Sequence, residues 1–179
     1  MHYIRSQHGK EKNLVGVDNF DKLRNIAELR LPDCQFYKGD IWTKEGLPKE
    51  KYDVVCMSGV LCLFEDFRQP LSNLMDIVDE NGIIMIFSAF NSHDCHTEVH
   101  YKQKGQEGKM LLYSLQEVSE WIENKGYQHK FIPFKINTTI KEQKENPIRS
   151  YTLALADGTN GLINGIDLWL EQYLLVITQ

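Results

Sequence analysis

Residues 74–87 read Leu74-Met75-Asp76-Ile77-Val78-Asp79-Glu80-Asn81-Gly82-Ile83-Ile84-Met85-Ile86-Phe87. Two periods meet in this stretch. Leu71, Leu74, Met75 and Val78 fall at i, i+3, i+4 and i+7, which puts them on one face of an amphipathic helix. Asn81-Gly82 stops that helix. The next five residues are apolar at every position, as in a central parallel strand with both faces covered. A helix that leads through a short turn into a doubly buried strand is half of an alternating α/β chain.

The same alternation extends upstream. Asp66 is placed as the N-cap of the helix, with Gln69 in the capping-box position and Pro70 in the first turn. Before it, Tyr52–Met57 reads as a strand closed by Ser58-Gly59. Cys34–Lys38 is another, followed by Gly39-Asp40-Ile41 and a polar connector over 42–51. Asn13–Asp18 is a short apolar strand that ends in a carboxylate. Residues 19–30 read as a helix with Leu23, Ile26, Ala27 and Leu29/Arg30 near one face, ended at Leu31-Pro32-Asp33.

Downstream, the polar stretch 90–110 interrupts the pattern. Ser114 and Glu117 form a capping box that opens a helix with Leu115, Val118 and Ile122 on one face, and Gly126 follows as its C′ residue. Residues 127–134 read as a strand. Tyr151–Leu155 and Tyr173–Ile177 are strand-like, separated by the turn signals Asp157-Gly158, Asn160-Gly161 and Asn164-Gly165. The order β-α-β-loop-β-α-β-insert-α-β-hairpin-β implies a three-layer, mostly parallel α/β sheet with antiparallel strands at its C-terminal end.

The chain has 179 residues, which suits a single domain spanning 1–179. Within it, 90–110 is a candidate substrate loop and 149–170 a hairpin-rich appendage. Hydrophobic residues make up 42% and charged residues 25%, so the chain is of globular composition. Its net charge of −5 argues against a dedicated nucleic-acid binder. No apolar run approaches the ~20 residues of a membrane span. The N-terminus has no apolar signal-peptide core, and the cysteines at 34, 56, 62 and 95 form no C-x-x-C pair. Reduced thiols and a cytoplasmic location are the corresponding expectations.

The residues "NLVGVD" (13–18), "CQFYKGDI" (34–41), "YDVVCMSGVLCLFED" (52–66) and "LMDIVDENGIIMIF" (74–87), in that order, resemble the class I S-adenosylmethionine-dependent methyltransferases. The resemblance runs from about Leu14 to Phe87, and more loosely to Ile177. It implies a Rossmann-like methyltransferase sheet, S-adenosylmethionine as cofactor and methyl transfer to a small-molecule acceptor. In open α/β sheets ligands sit at the carboxyl ends of the strands, where all the matching residues fall. Asp18 would accept hydrogen bonds from the ribose hydroxyls; its plain alternative is a helix cap. Asp40 would take the exocyclic amine of adenine while the Ile41 N–H meets the ring, with an ordinary Gly-Asp turn as the alternative. Ser58, Val60 and Leu61 would lie against the methionine part. Cys62-Leu63-Phe64 stands where many relatives place a histidine, which removes one general base but not methyl transfer.

One family feature has no counterpart. The glycine-rich motif that should precede "NLVGVD" is replaced by MHYIRSQHGKEK, which fits the end of the helix that normally follows the first strand. The sheet is therefore expected to lack that strand, between the strands ending at Asp18 and Met57. Direct pairing of the two neighbours, a homo-oligomer or a strand-swapped dimer would close the gap. The 179-residue chain alone is expected to bind S-adenosylmethionine weakly or not at all.

On the acceptor side, Asn91, His93 and His96 lie in the 90–110 stretch, and His93 or His96 could position the acceptor or take its proton. Their spacing with Asp94, Cys95 and His100 matches no zinc pattern, and no metal is expected. Phe64 borders the same pocket. Arg149 and Tyr151 open the tail hairpin, where Arg149 could clamp an anionic group. Trp42, Trp121 and Trp169 read as packing residues. The rival function is a non-catalytic methyltransferase-like protein that works by oligomerisation or partner binding. A dehydrogenase-type nucleotide binder would need a glycine-rich loop as well.

Overall fold

The structure, a computed structural model, describes residues 1–9 and 12–179. Helix α1 (His2–His8) precedes strand β1 (Val15–Val17), helix α2 (Asp21–Arg30) and strand β2 (Gln35–Tyr37). Then come β3 (Tyr52–Ser58), a single 3-10 turn at Leu61–Leu63, α3 (Arg68–Ile77) and β4 (Val78–Phe90). Strands β5 (Thr97–Gln103) and β6 (Gln106–Leu112) lead to α4 (Leu115–Asn124) and β7 (Gln128–Pro133). Strands β8 (Tyr151–Ala154), β9 (Asn160–Ile163) and β10 (Glu171–Thr178) complete the chain.

The principal sheet has the order β3-β4-β10-β7. β3 and β4 run parallel, and β10 enters between β4 and β7 antiparallel to both. The alternating, mostly parallel arrangement with an antiparallel C-terminal strand is the one read from the sequence. β1 and β2 pair in parallel as a separate ribbon. The division falls between the strands that end near Asp18 and Met57. Among the described residues no strand pairs with the outer edge of β3 or of β1, and the two do not pair with each other.

Helices α3 and α4 cover one face of the principal sheet. Phe67, Leu71 and Leu74 from around α3 and Val118 and Ile122 from α4 are fully or almost fully buried against Val55, Met57, Ile84, Ile86, Leu175 and Ile177. Phe67 packs edge-on to Tyr113 at 5.0 Å and to Trp121 at 5.7 Å, so the aromatic rings fill the corner between the helices. On the opposite face the register pair Val54 and Ile83 is exposed, as is Cys56. The face read into α2 is also uncovered: Leu23, Ile26 and Leu29 are exposed, and α2 buries no residue.

Four local readings change. The Asp66 capping box does not form. Its Oδ1 accepts from the Arg68 N–H at 2.9 Å, and the Gln69 amide turns to Asn73 instead. Asn81-Gly82 does not separate two elements, because β4 already begins at Val78 and residues 79–82 form an irregularity in its pairing with β3. The polar stretch 90–110 is largely an antiparallel hairpin of β5 and β6, turned at Lys104-Gly105 with φ of 51° and 79°. Asn160-Gly161 is not a turn but the start of β9. A Cβ on Gly161 would lie 1.9 Å from the Trp169 ring, so this glycine admits an indole. The box at Ser114 is half made: its Oγ accepts from the N–H of Gln116 and Glu117, while Glu117 pairs with Arg68 at 2.8 Å. No helix among the described residues is long and apolar enough to cross a membrane.

Candidate functional site

β1, β2 and β3 each run into a loop. After β1, Asp18 is half-buried, and its backbone N–H still donates to the Tyr37 carbonyl at 3.2 Å. Its Oδ1 accepts from the Phe20 N–H at 2.7 Å, an Asx turn that leads into α2. α2 itself starts from Phe20 with no side-chain cap, so Asp18 is not its N-cap. Among the described residues, Asp18 Oδ2 makes no hydrogen bond.

After β2, the chain needs two glycines to close a tight loop. A Cβ on Gly39 would meet Val17 Cγ1 at 2.7 Å, and Gly46, at φ 71°, would place one 1.9 Å from the Lys38 carbonyl. Between them, Asp40 donates its N–H to the Glu45 carbonyl at 2.9 Å and accepts the Trp42 N–H on Oδ1 at 2.8 Å. The carbonyls of Ile41 and Trp42 accept from the Asn73 amide. Asp40 Oδ2 and the Ile41 N–H, side by side in this turn, make no hydrogen bond among the described residues. They form an acceptor beside a donor.

After β3, Ser58 is exposed. Gly59 has φ 68° with nothing within 4 Å of an added Cβ, and its N–H donates to the Phe87 carbonyl at 2.8 Å. This glycine serves a left-handed backbone that faces open space. Val60 is partly buried, and Leu61 lies in the core with 1% exposed, so Leu61 offers its backbone rather than its side chain. The Phe64 ring stacks on Trp42 at 5.6 Å and 14°, which brings the loops after β2 and β3 together.

The segment after β4 joins through Tyr113. The Tyr113 hydroxyl donates to the Phe64 carbonyl, and burial pushes this phenol well above its ordinary range, so it stays a donor. The His96 ring lies 5.0 Å from the Tyr113 ring. Lys109 pairs with Glu65 and holds that carboxyl below the usual range, and Arg68 pairs with Glu117. The loop after β3 is thus tied to β6, and the start of α3 to α4. His93 is exposed and donates its N–H to Asn91 Oδ1 at 3.0 Å, whose amide reaches Thr97 at 3.3 Å. Arg149 and Tyr151 stand at the entry to β8, and no hydrogen bond or ion pair among the described residues joins them to the loops after β1, β2 or β3.

Two cavities, of about 420 Å³ and 240 Å³, lie elsewhere. One is between the β5–β6 tip and Glu145-Asn146, the other between α1 and Arg30–Cys34. No group of three or more His, Cys, Asp or Glu that could hold a metal occurs among the described residues. Three contributors went unread in the sequence. Asn73 looks like a polar break in an apolar helix stripe, Tyr113 like part of a strand end, and Trp42 like simple packing. Only the place of Trp42, two residues after Asp40, signalled its role.

The donor set fits the adenosine part of S-adenosylmethionine: an unshared carboxylate oxygen at Asp18 for hydroxyl donors, and an acceptor beside a donor at Asp40 and Ile41 for the purine edge. For the methionine part the fit is poorer. Residues upstream of β1 contain no Gly-x-Gly, and no backbone cradle lies between β1 and β3 among the described residues.

Residues 2–86 match the family model of the methyltransferase domain. An uncharacterized protein of Methanocaldococcus jannaschii is 28% identical over 128 residues, which are 67% of this chain and 35% of that protein. The chain thus spans about a third of the length of this curated relative. Among solved structures, an S-adenosylmethionine-dependent methyltransferase from Listeria monocytogenes superposes with a TM-score of 0.67 at 11% identity, covering 99% of this chain and 85% of its own. DhpI in complex with S-adenosylhomocysteine gives 0.60 at 12%, covering 97% and 70%. The glycopeptide N-methyltransferase MtfA in complex with S-adenosylmethionine gives 0.56 at 9%, covering 99% and 92%. Residues 2–86 thus match the methyltransferase-domain model by sequence, and nearly the whole chain has the fold of the solved S-adenosylmethionine-dependent methyltransferases.

Proposed function

We propose that this chain binds S-adenosylmethionine chiefly through its adenosine part and directs its methyl group to a small-molecule acceptor. The observation that carries the reading is the turn after β2, where Asp40 Oδ2 and the Ile41 N–H have no partner among the described residues while the Asp40 N–H, Asp40 Oδ1 and the Ile41 and Trp42 carbonyls are engaged. Asp40 would accept from the exocyclic amine and Ile41 would donate to the ring nitrogen beside it. Asp18 would hold the ribose with its second oxygen. The backbone at Ser58–Leu61 would line the methionine side. The cofactor, when bound, supplies an electrophilic methyl group on a sulfonium. The chain's own part is to orient the acceptor and exclude water around it. Phe64 and His96 border that side, and His96 is better placed than His93 to take a proton, because its ring is held beside Tyr113. Arg149, whose guanidinium makes no bond among the described residues, could receive an anionic group of the acceptor.

Because no methionine cradle occurs among the described residues around β1, S-adenosylhomocysteine and adenosine should bind with affinities within about tenfold of each other, both weakly. Titration calorimetry or ligand-observed NMR with the two compounds tests this. Asp40→Asn should weaken adenosine by about tenfold or more, since a hydrogen bond to a charged group is lost. Adenosine binding that is indifferent to Asp40→Asn sinks the reading.

The open edges of β1 and β3 favour one second reading, in which a strand from another copy or another protein enters between them. Light scattering across a concentration series checks this, with a concentration-independent monomer mass as the opposing result.

A further inference from the structure

The buried polar side chain that the site does not yet use is Asn73. It sits mid-way along α3 with 1% of its surface exposed, flanked by the buried Pro70, Leu71 and Leu74. A leucine there would extend the apolar stripe. An amide instead must have its polar atoms satisfied, or its burial is costly. All of them are engaged. Nδ2 donates to the Ile41 carbonyl at 2.6 Å and to the Trp42 carbonyl at 3.0 Å, and Oδ1 accepts from Gln69 Nε2 at 3.1 Å.

What the amide provides is position. The turn it holds belongs to the thinly packed N-terminal part of the chain, and α3 belongs to the core of the principal sheet. Asn73 ties one to the other at the two successive carbonyls on either side of Trp42. With those carbonyls drawn toward α3, the Ile41 N–H and Asp40 Oδ2 are left without partners among the described residues. One turn of α3 further on, Asp76 accepts from Lys44 with its carboxylate and from Lys51 with its carbonyl, so the same helix grips the connector at three places. The Trp42 ring then reaches Phe64 in the loop after β3.

We infer that Asn73 is a positioning residue of the adenosine site: from α3 it fixes the Asp40–Trp42 turn so that Asp40 and the Ile41 N–H together read the purine edge. The inference rests on the adenosine-site reading above. It makes a prediction about base choice, because inosine replaces the exocyclic amine with a carbonyl oxygen and would face the Asp40 carboxylate acceptor to acceptor.

The test compares adenosine and inosine binding by ligand-observed NMR in the wild type, Asn73→Leu and Asn73→Asp. Hydrogen exchange of the unliganded proteins is measured over residues 40–47 and 83–90. Asn73→Leu removes both donors and keeps the core apolar. Asn73→Asp keeps the shape and points a carboxylate at the two carbonyls. The expected result is a wild-type preference for adenosine that falls by about tenfold in both variants, with faster exchange over 40–47 and unchanged protection over 83–90. An adenosine preference that survives in both variants overturns the inference alone. Exchange that rises equally in 83–90 also overturns it, since Asn73 would then be a structural residue of the whole domain. Wild-type protein that binds neither nucleoside overturns the adenosine-site reading and the inference with it.

Discussion

The ribbon of β1 and β2 and the principal sheet of β3, β4, β10 and β7 are built from similar sequence but reach opposite packing states. Both contain short apolar strands followed by helices with apolar residues at helical spacing. In the principal sheet, Leu71 and Leu74 of α3 and Val118 and Ile122 of α4 disappear into one core. Before β3, Gly39 is the only buried residue among those described. Leu29 of α2 is 84% exposed, although its spacing matches that of a core residue. Amphipathicity states that a helix has a face to bury. Whether the face is buried depends on a sheet wide enough to receive it, and a two-stranded ribbon is marginal on its own. The ribbon is held mainly by polar ties: Asn73 and Asp76 to the connector, and Arg5 of α1 to the carbonyl of Asp33 and the sulfur of Cys34.

The contrast is broken most directly by deleting side chains in each half. Leu74→Ala should cost about 2–5 kcal/mol in urea-induced unfolding, because it opens a cavity beneath a sheet that cannot collapse around it. Leu23→Ala should change stability by less than about 0.5 kcal/mol, as expected for an exposed position. A Leu23→Ala cost comparable to that of Leu74→Ala would mean that α2 is covered in solution, and that the difference between the halves is not a property of the protein.

The element order was legible in the sequence because period and punctuation agreed. Pro32 after α2, Ser114 before α4 and Gly126 at φ 81° after it each mark a boundary that the structure keeps. The β5–β6 hairpin was hidden because its alternation (Thr97, Val99 and Tyr101 against Glu98, His100 and Lys102) is mild and its turn is Lys104-Gly105 rather than Asn-Gly. Asn160-Gly161 misled in the opposite direction, since this glycine answers to the Trp169 ring, a partner eight residues on. For the candidate site, Asp18, Asp40 and Ile41 could be singled out because they follow the carboxyl ends of strands. Asn73 could not, because its meaning lies in two carbonyls more than thirty residues away. His93 and His96 could not be told apart until the Tyr113 ring was placed beside one of them.

Helix starts sharpen the comparison at a smaller scale. Ser114 accepts from two N–H groups at 3.1 Å and 3.3 Å, while α2 begins at Phe20 with no side-chain acceptor. Ser114→Ala should therefore lower stability by about 1 kcal/mol in the same urea titration. An unchanged midpoint would place the start of α4 under the control of packing, through Val118 and Ile122, rather than of its cap.

The smallest expected effect has the opposite sign and tests how complete the packing of the better half is. Ser88 lies in β4 between Ile86 and Phe90 with 2% of its surface exposed, and its hydroxyl has no hydrogen-bond partner among the described residues. A buried hydroxyl without a partner has given up its water and received nothing in return. Removing it leaves only a small void. Ser88→Ala should leave stability unchanged or raise it by up to about 1 kcal/mol, set by the difference between the recovered desolvation and the lost contacts. A loss of more than about 1 kcal/mol would require that this hydroxyl bonds to something in solution, such as an ordered water. The well-packed half would then hold a hydrated polar position within β4, and the packing contrast between the two halves would be smaller than burial alone suggests.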